Sequence, residues 1–148
     1  MRLLFIGGCK SGKSSTAQRI AKRLGENAPL YYWATMEPHD DEDLARIRRH
    51  IADRDGWGFT TVERARDLTA GLAAIDPAGT VLFDSVTACL AAQMFDGGDM
   101  DMEDYDPWTA AYVGGLAHIC RTLAAEFDVV CEMTMGLPHV WKGELPRA

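Results

Sequence analysis

Hydrophobic positions along this chain fall into blocks of two periods, and the two kinds of block alternate. Short apolar runs of strand length occur at Arg2–Ile6, Leu30–Ala34, Phe59–Glu63, Thr80–Asp84 and Val129–Met133. Between them apolar residues recur at helical spacing. Ala17, Ile20, Ala21 and Leu24 do so within Ser15–Leu24, Leu44, Ile47 and Ile51 within a segment ending near Asp53, and Leu68, Leu72 and Ile75 within Arg66–Ile75. The punctuation agrees. Gly25 is a natural helix C-cap, and Met36–Asp40 reads as a turn. The carboxylates from Asp40 to Asp43 suit the positive start of a helix. Pro77-Ala78-Gly79 turns the chain, and Asp106-Pro107 has the form of an N-cap and first residue of a helix reaching about Phe127. Gly136 and Pro138 end the last strand and leave a short tail with Trp141 and Lys142. Strands alternating with helices predict an α/β fold of three layers, a mostly parallel sheet wrapped by helices.

Composition narrows the class. At 148 residues, 47% hydrophobic and 25% charged, residues 1–148 read as a single domain with a real core. No apolar stretch approaches membrane-spanning length, and the N-terminus reads as a strand rather than a signal peptide. The four cysteines (Cys9, Cys89, Cys120, Cys131) show neither C-x-x-C pairing nor metal-ligand spacing, so they read as reduced thiols of a cytoplasmic protein. A net charge of -7 argues against a broad nucleic-acid surface. Phosphate must then be bound by local clusters. The acidic, Gly- and Met-containing stretch from Asp96 to Asp106 reads as a solvated loop rather than a metal site.

The segment Gly7-Gly8-Cys9-Lys10-Ser11-Gly12-Lys13-Ser14 spells G-x-x-x-x-G-K-S between the first strand and the first helix. That placement aims successive backbone N–H groups and the positive helix end at one spot, the geometry of a phosphate-cradling P-loop. Lys13 is expected to reach the β- and γ-phosphates and the Ser14 hydroxyl to ligate Mg²⁺. Asp84 closes an apolar strand, as does the carboxylate that P-loop proteins set beside the nucleotide's Mg²⁺. His50 lies off the apolar stripe of its helix, with Arg46 and Arg54 one turn away. Two guanidiniums there would keep the imidazole neutral and nucleophilic and would grip phosphate oxygens. Pattern alone reads His50 as a solvated surface histidine, a reading His39 and His118 share.

Several segments together resemble the adenosylcobinamide kinase/adenosylcobinamide-phosphate guanylyltransferase family of cobalamin biosynthesis. The carriers are G-G-x-x-S-G-K-S at Gly7–Ser14, Y-x-A-T at Tyr32–Thr35, Asp41 and Glu42, R-I-x-x-H at Arg46–His50, Arg54, the stretch from Trp57 to Glu63, and D-S-V-T at Asp84–Thr87. The resemblance implies a bifunctional transferase using GTP or ATP with Mg²⁺ and a corrinoid acceptor, assembled as a homo-oligomer, in family terms a trimer. It implies that His50 carries a covalent guanylyl group and that Thr35, Arg54, Glu63 and Asp84 line the guanosine nucleotide site, Glu63 and Asp84 at a ribose hydroxyl or the metal. The chain departs from the family in two places. Asp55 stands where a proline follows the arginine, and a strand between the Asp84 strand and the last helix is missing, with only the acidic stretch around residues 96–106 in its place. Two other readings compete: a P-loop small-molecule kinase of other specificity, and a non-catalytic nucleotide-binding remnant.

Overall fold

The structure, a computed structural model, describes residues 1–38, 40–95 and 107–147, the Arg46 side chain excepted. Expectations resting on His39, on the 96–106 loop, on the Asp106 cap and on the Arg46 guanidinium lie outside the described residues. In chain order the elements are β1 (Leu3–Ile6), α1 (Lys13–Leu24), β2 (Leu30–Ala34), α2 (Asp41–Asp53), β3 (Phe59–Glu63), α3 (Leu68–Leu72), β4 (Thr80–Asp84), α4 (Val86–Met94), α5 (Pro107–Glu126), β5 (Val129–Thr134) and β6 (Leu137–Lys142).

The alternation yields the expected α/β layering, but the strands divide into two three-stranded sheets, β1-β5-β6 and β3-β2-β4, where the sequence predicts one. The second sheet is wholly parallel, Ala34 of β2 standing level with Glu63 on one side and Asp84 on the other. In the first, β1 runs parallel to β5 and β6 antiparallel to it. Among the described residues no strand lies between β4 and β1, so each ends its ladder as an edge. Helix α1 spans the division by packing against both strands, with Ala17, Ile20 and Ala21 buried. The core follows the middle strand of each sheet: Val129, Val130, Cys131 and Met133 on β5, and Leu30, Tyr32 and Trp33 on β2. Each large apolar side chain of that set contributes about 1.5–3 kcal/mol by leaving water.

Local departures have local causes. The segment read as a tail is strand β6, joined to β5 by a two-residue turn in which Met135 (φ 50°) and Gly136 (φ 80°) are both left-handed, the conformation that matches strand twist in tight hairpins. Pro138 does not end the strand because β6 is an edge, where a missing N–H is tolerated. The Arg66–Ile75 helix shrinks to α3, with Asp67 as its N-cap. Helix α4, unread in the sequence, starts at Ser85, whose hydroxyl accepts the Ala88 N–H. The stripe expected to bury α2 is open instead: Leu44 is 40% and Ile51 47% exposed.

Candidate functional site

Two groups of polar residues sit at the carboxyl ends of the parallel strands, one per sheet. The first is the loop leaving β1. Gly7 has φ 138° and Gly12, the residue before α1, φ 89°. At Gly7 a side chain is excluded twice, by that φ and because a Cβ would overlap the Met133 carbonyl oxygen of β5. Gly12 offers α1 no capping side chain, and the helix has no acidic residue in its first turn, so its first N–H groups and positive end stay available to an anion. The Lys13 ammonium folds back to donate to the Gly8 carbonyl at 2.5 Å and the Ser11 hydroxyl at 3.4 Å. Gly8, Cys9 and Lys10 are exposed, Ser11 is buried, and Ser14 is half-buried. The loop is braced from the far end of the chain, since the Gly136 N–H donates to the Ser11 carbonyl at 3.0 Å.

The second group lies on one face of β3-β2-β4. Register sets Thr61, Tyr32 and Leu82 in one row and Glu63, Ala34 and Asp84 in the next but one. Residues two apart on a strand share a face, so Thr61, Glu63, Tyr32 and Asp84 project together. The Tyr32 hydroxyl donates to Asp84 Oδ2 at 2.6 Å. Burial, and then the negative charge of Asp84, push the phenol far above its ordinary pKa, so it stays protonated and a donor. The Arg54 guanidinium lies over the Tyr32 ring, 3.8 Å from its centroid, and its Nη2 donates to Thr61 Oγ1 at 3.3 Å. Arg54 is only 7% exposed, yet its Nη1 is buried with no hydrogen-bond partner among the described residues. A cleft of about 190 Å³ opens beside it, bordered by Ile51, Arg54, Gly58, Phe59, Thr61 and Glu63.

Arg54, Glu63 and Asp84, singled out in the sequence, are thus gathered around Tyr32. Thr35 is fully buried; its hydroxyl donates to the Ser85 carbonyl and accepts the Ser85 N–H, both at 2.8 Å. It clasps the end of β2 to the start of α4. His50 is half-exposed in the last turn of α2, and among the described residues no hydrogen bond ties it to the loop or to Arg54, whose head is turned toward Tyr32. No three His, Cys, Asp or Glu side chains among the described residues gather as a metal cluster. Ser14 and Asp84 supply one hydroxyl and one carboxylate. They belong to different groups, Ser14 to the loop leaving β1 and Asp84 to the face of β3-β2-β4. Sequence reasoning missed Tyr32, although it quoted Tyr32 within Y-x-A-T. It also missed the bracing turn at Gly136, for which the signal was a Met-Gly pair between alternating residues.

Comparison with known proteins gives one family throughout. A family model described as cobinamide kinase / cobinamide phosphate guanyltransferase matches residues 3–137. The bifunctional adenosylcobalamin biosynthesis protein CobU of Escherichia coli (strain K12) is 38% identical over 109 residues, 72% of this chain and 58% of the relative. CobU of Salmonella typhimurium is 34% identical over 110 residues, again 72% and 58% of the two chains. CobP of Pseudomonas aeruginosa is 37% identical over 91 residues, 61% of this chain and 51% of the relative. The matched part therefore spans between half and three fifths of each relative's length.

Proposed function

The chain belongs to the cobinamide kinase and cobinamide phosphate guanyltransferase family, and from that premise we propose that it is a bifunctional nucleotide-dependent transferase of cobalamin biosynthesis. The Gly7–Ser14 loop is read as a P-loop, in which the backbone N–H groups from Gly8 to Ser14 hold the triphosphate. The Lys13 ammonium exchanges its loop contacts at Gly8 and Ser11 for β- and γ-phosphate oxygens. Ser14 and Asp84 would hold Mg²⁺, which neutralises charge developing on the phosphates. In the kinase step a hydroxyl oxygen of the corrinoid forms a bond to the γ-phosphorus, the bond from that phosphorus to the bridging oxygen breaks with loss of the nucleoside diphosphate, and the hydroxyl proton passes to solvent.

In the guanylyl step a ring nitrogen of His50 forms a bond to the α-phosphorus of GTP, and the bond to the β-phosphate oxygen breaks with loss of pyrophosphate. A phosphate oxygen of the corrinoid phosphate then attacks the same phosphorus, and the histidine nitrogen leaves with its electron pair. Histidine suits this role because its phosphoramidate is reactive enough to pass the group on. Arg54, Glu63 and Asp84 line the guanosine nucleotide, and Thr35 fixes the end of their sheet.

The observation that carries this reading is the backbone of the glycine loop. A left-handed, uncapped entry to a helix with no acid in its first turn is suited to an anion and otherwise unfavourable. The test is labelling with α-³²P-GTP. Wild type should acquire a label that mild acid removes and alkali spares, and His50→Ala should acquire none. Acid-labile label on His50→Ala would refute the assignment. The division into two sheets favours one second reading, a nucleotide-binding remnant. That reading predicts GTP binding with neither covalent label nor γ-phosphate transfer. Exposed Trp108, Val113 and Leu137 support reading the chain as a homo-oligomer, a trimer by family resemblance, and light scattering on the eluting protein tests this.

A further inference from the structure

We propose that Tyr32 is a positioning residue of the nucleotide site, holding Arg54 with its ring and Asp84 with its hydroxyl, so that the two contacts are set by one side chain. The inference rests on the reading of Arg54 and Asp84 as nucleotide contacts and adds a residue to which that reading gave no role.

Three observations carry it. The phenol hydrogen bond to Asp84 Oδ2, 2.6 Å long, fixes one carboxylate oxygen and leaves the other outside that bond. The ring lies beneath the Arg54 guanidinium at 3.8 Å and is itself held edge-on by Phe59, with centroids 6.3 Å apart and planes at 89°. Stacked on that ring and bonded through Nη2 to Thr61, the guanidinium has little freedom, yet its Nη1 is buried without an acceptor among the described residues. A buried charged donor left unpaired is costly. The arrangement is reasonable where a ligand oxygen completes it, and a planar fork held on a ring is already oriented for such an oxygen. Tyr32 stands on β2 between β3 and β4, so its backbone cannot move without both neighbours. What reaches Arg54 on one side is therefore set in register with Asp84 on the other.

A tyrosine that merely fills the core would give independent losses when it and its neighbours are changed. A positioning residue would not, because groups acting through one another are non-additive. GTP affinity is measured by calorimetric titration for wild type and for Tyr32→Phe, Asp84→Asn and the double variant. Tyr32→Phe, which keeps the ring, should weaken GTP binding about tenfold, the scale of one hydrogen bond to a charged group. The double variant should be no weaker than Asp84→Asn alone. The ring is tested separately, since Arg54→Ala should cost its full factor in the Tyr32→Phe background and little in Tyr32→Leu. A melting temperature for the nucleotide-free Tyr32→Phe protein within a few degrees of wild type excludes a folding explanation. Should Tyr32→Leu fail to fold, the Tyr32→Phe/Asp84→Asn cycle decides alone. Wild-type affinity in Tyr32→Phe, or losses that simply multiply in the double variant, would overturn the proposal while leaving the functional reading standing. Absence of GTP binding by wild type would remove both.

Discussion

Replacing Gly7 by alanine tests how the glycine loop is anchored, because two separate penalties coincide there. With φ at 138°, the residue lies where an L side chain costs about 1–3 kcal/mol. The new Cβ also lands on the Met133 carbonyl oxygen. Met133 is 1% exposed, on the middle strand of its sheet and paired with Pro138, so relief requires moving β5 or pushing the loop outward. Overpacking of this kind costs about 1–3 kcal/mol. Together the terms come to about 4 kcal/mol, a large share of the roughly 5–15 kcal/mol that holds a typical domain. For a chain of this size that corresponds to a fall in Tm of about 10 °C. Urea unfolding followed by circular dichroism, without nucleotide, measures the loss directly. Gly8→Ala is the internal control. Its Cβ would have nothing within 4 Å, so its stability should stay within about 0.5 kcal/mol of wild type. A Gly7→Ala protein within about 1 kcal/mol of wild type, or equal losses at the two glycines, would refute the reasoning.

Other predictions address binding, pH and dynamics. Lys13→Ala should lower triphosphate affinity about 100-fold, since charge-assisted bonds are worth about 1.5–3 kcal/mol each, and leave the melting curve unchanged, because among the described residues the ammonium bonds only to the loop itself; a fluorescent-nucleotide titration reads the first and calorimetry the second. Above about pH 10 the unfolded Tyr32 phenol loses its proton while the folded one keeps it, so the native state binds more protons and stability falls by up to about 1.4 kcal/mol per pH unit; Tyr32→Phe should remove that share of the alkaline slope in urea melts. Cys9 is exposed whereas Cys89 and Cys131 are buried, with their thiols pushed up by burial, so iodoacetamide should modify Cys9 first and bound GTP should protect it, as peptide mass spectrometry would show. Backbone amides of α2 should exchange with deuterium sooner than those of β5, given the open Leu44 and Ile51.

The legible parts of this chain are those in which local chemistry and tertiary context agree. The β1–loop–α1 unit, the parallel strands β2, β3 and β4, and the run from Pro107 into β5 all follow from period, caps and turns. The α2 boundaries were legible too, but not its exposure, because periodicity marks an apolar face without saying whether anything covers it. Strand β6 escaped because Pro138 is a breaker only where both strand edges are used. Helix α4 escaped because it is mostly apolar, with Thr87 and Gln93 its two polar positions and no polar face to give a period. For the site, Arg54 and Glu63 were marked by the family resemblance and Asp84 by its place at a strand end; register sets Glu63 and Asp84 on either side of Ala34, while Arg54 arrives from the end of α2. Tyr32 could not be singled out, since its role depends on what lies above its ring and at its hydroxyl, and both come from distant segments.

The brace between Gly136 and Ser11 sets an order of events during synthesis. Strand β1 and the glycine loop are made well before the strand's partner, β5, and the turn that steadies the loop, which follow more than a hundred residues later; the Arg2–Asp128 bond alone spans 126 positions. Until the hairpin is complete, Gly7 has no Met133 carbonyl to pack against and Ser11 has no donor for its carbonyl. A nascent chain halted before residue 129 would carry the whole glycine loop without the contacts that steady it. A settled glycine loop is thus a signal that the hairpin after α5 has been made and has docked.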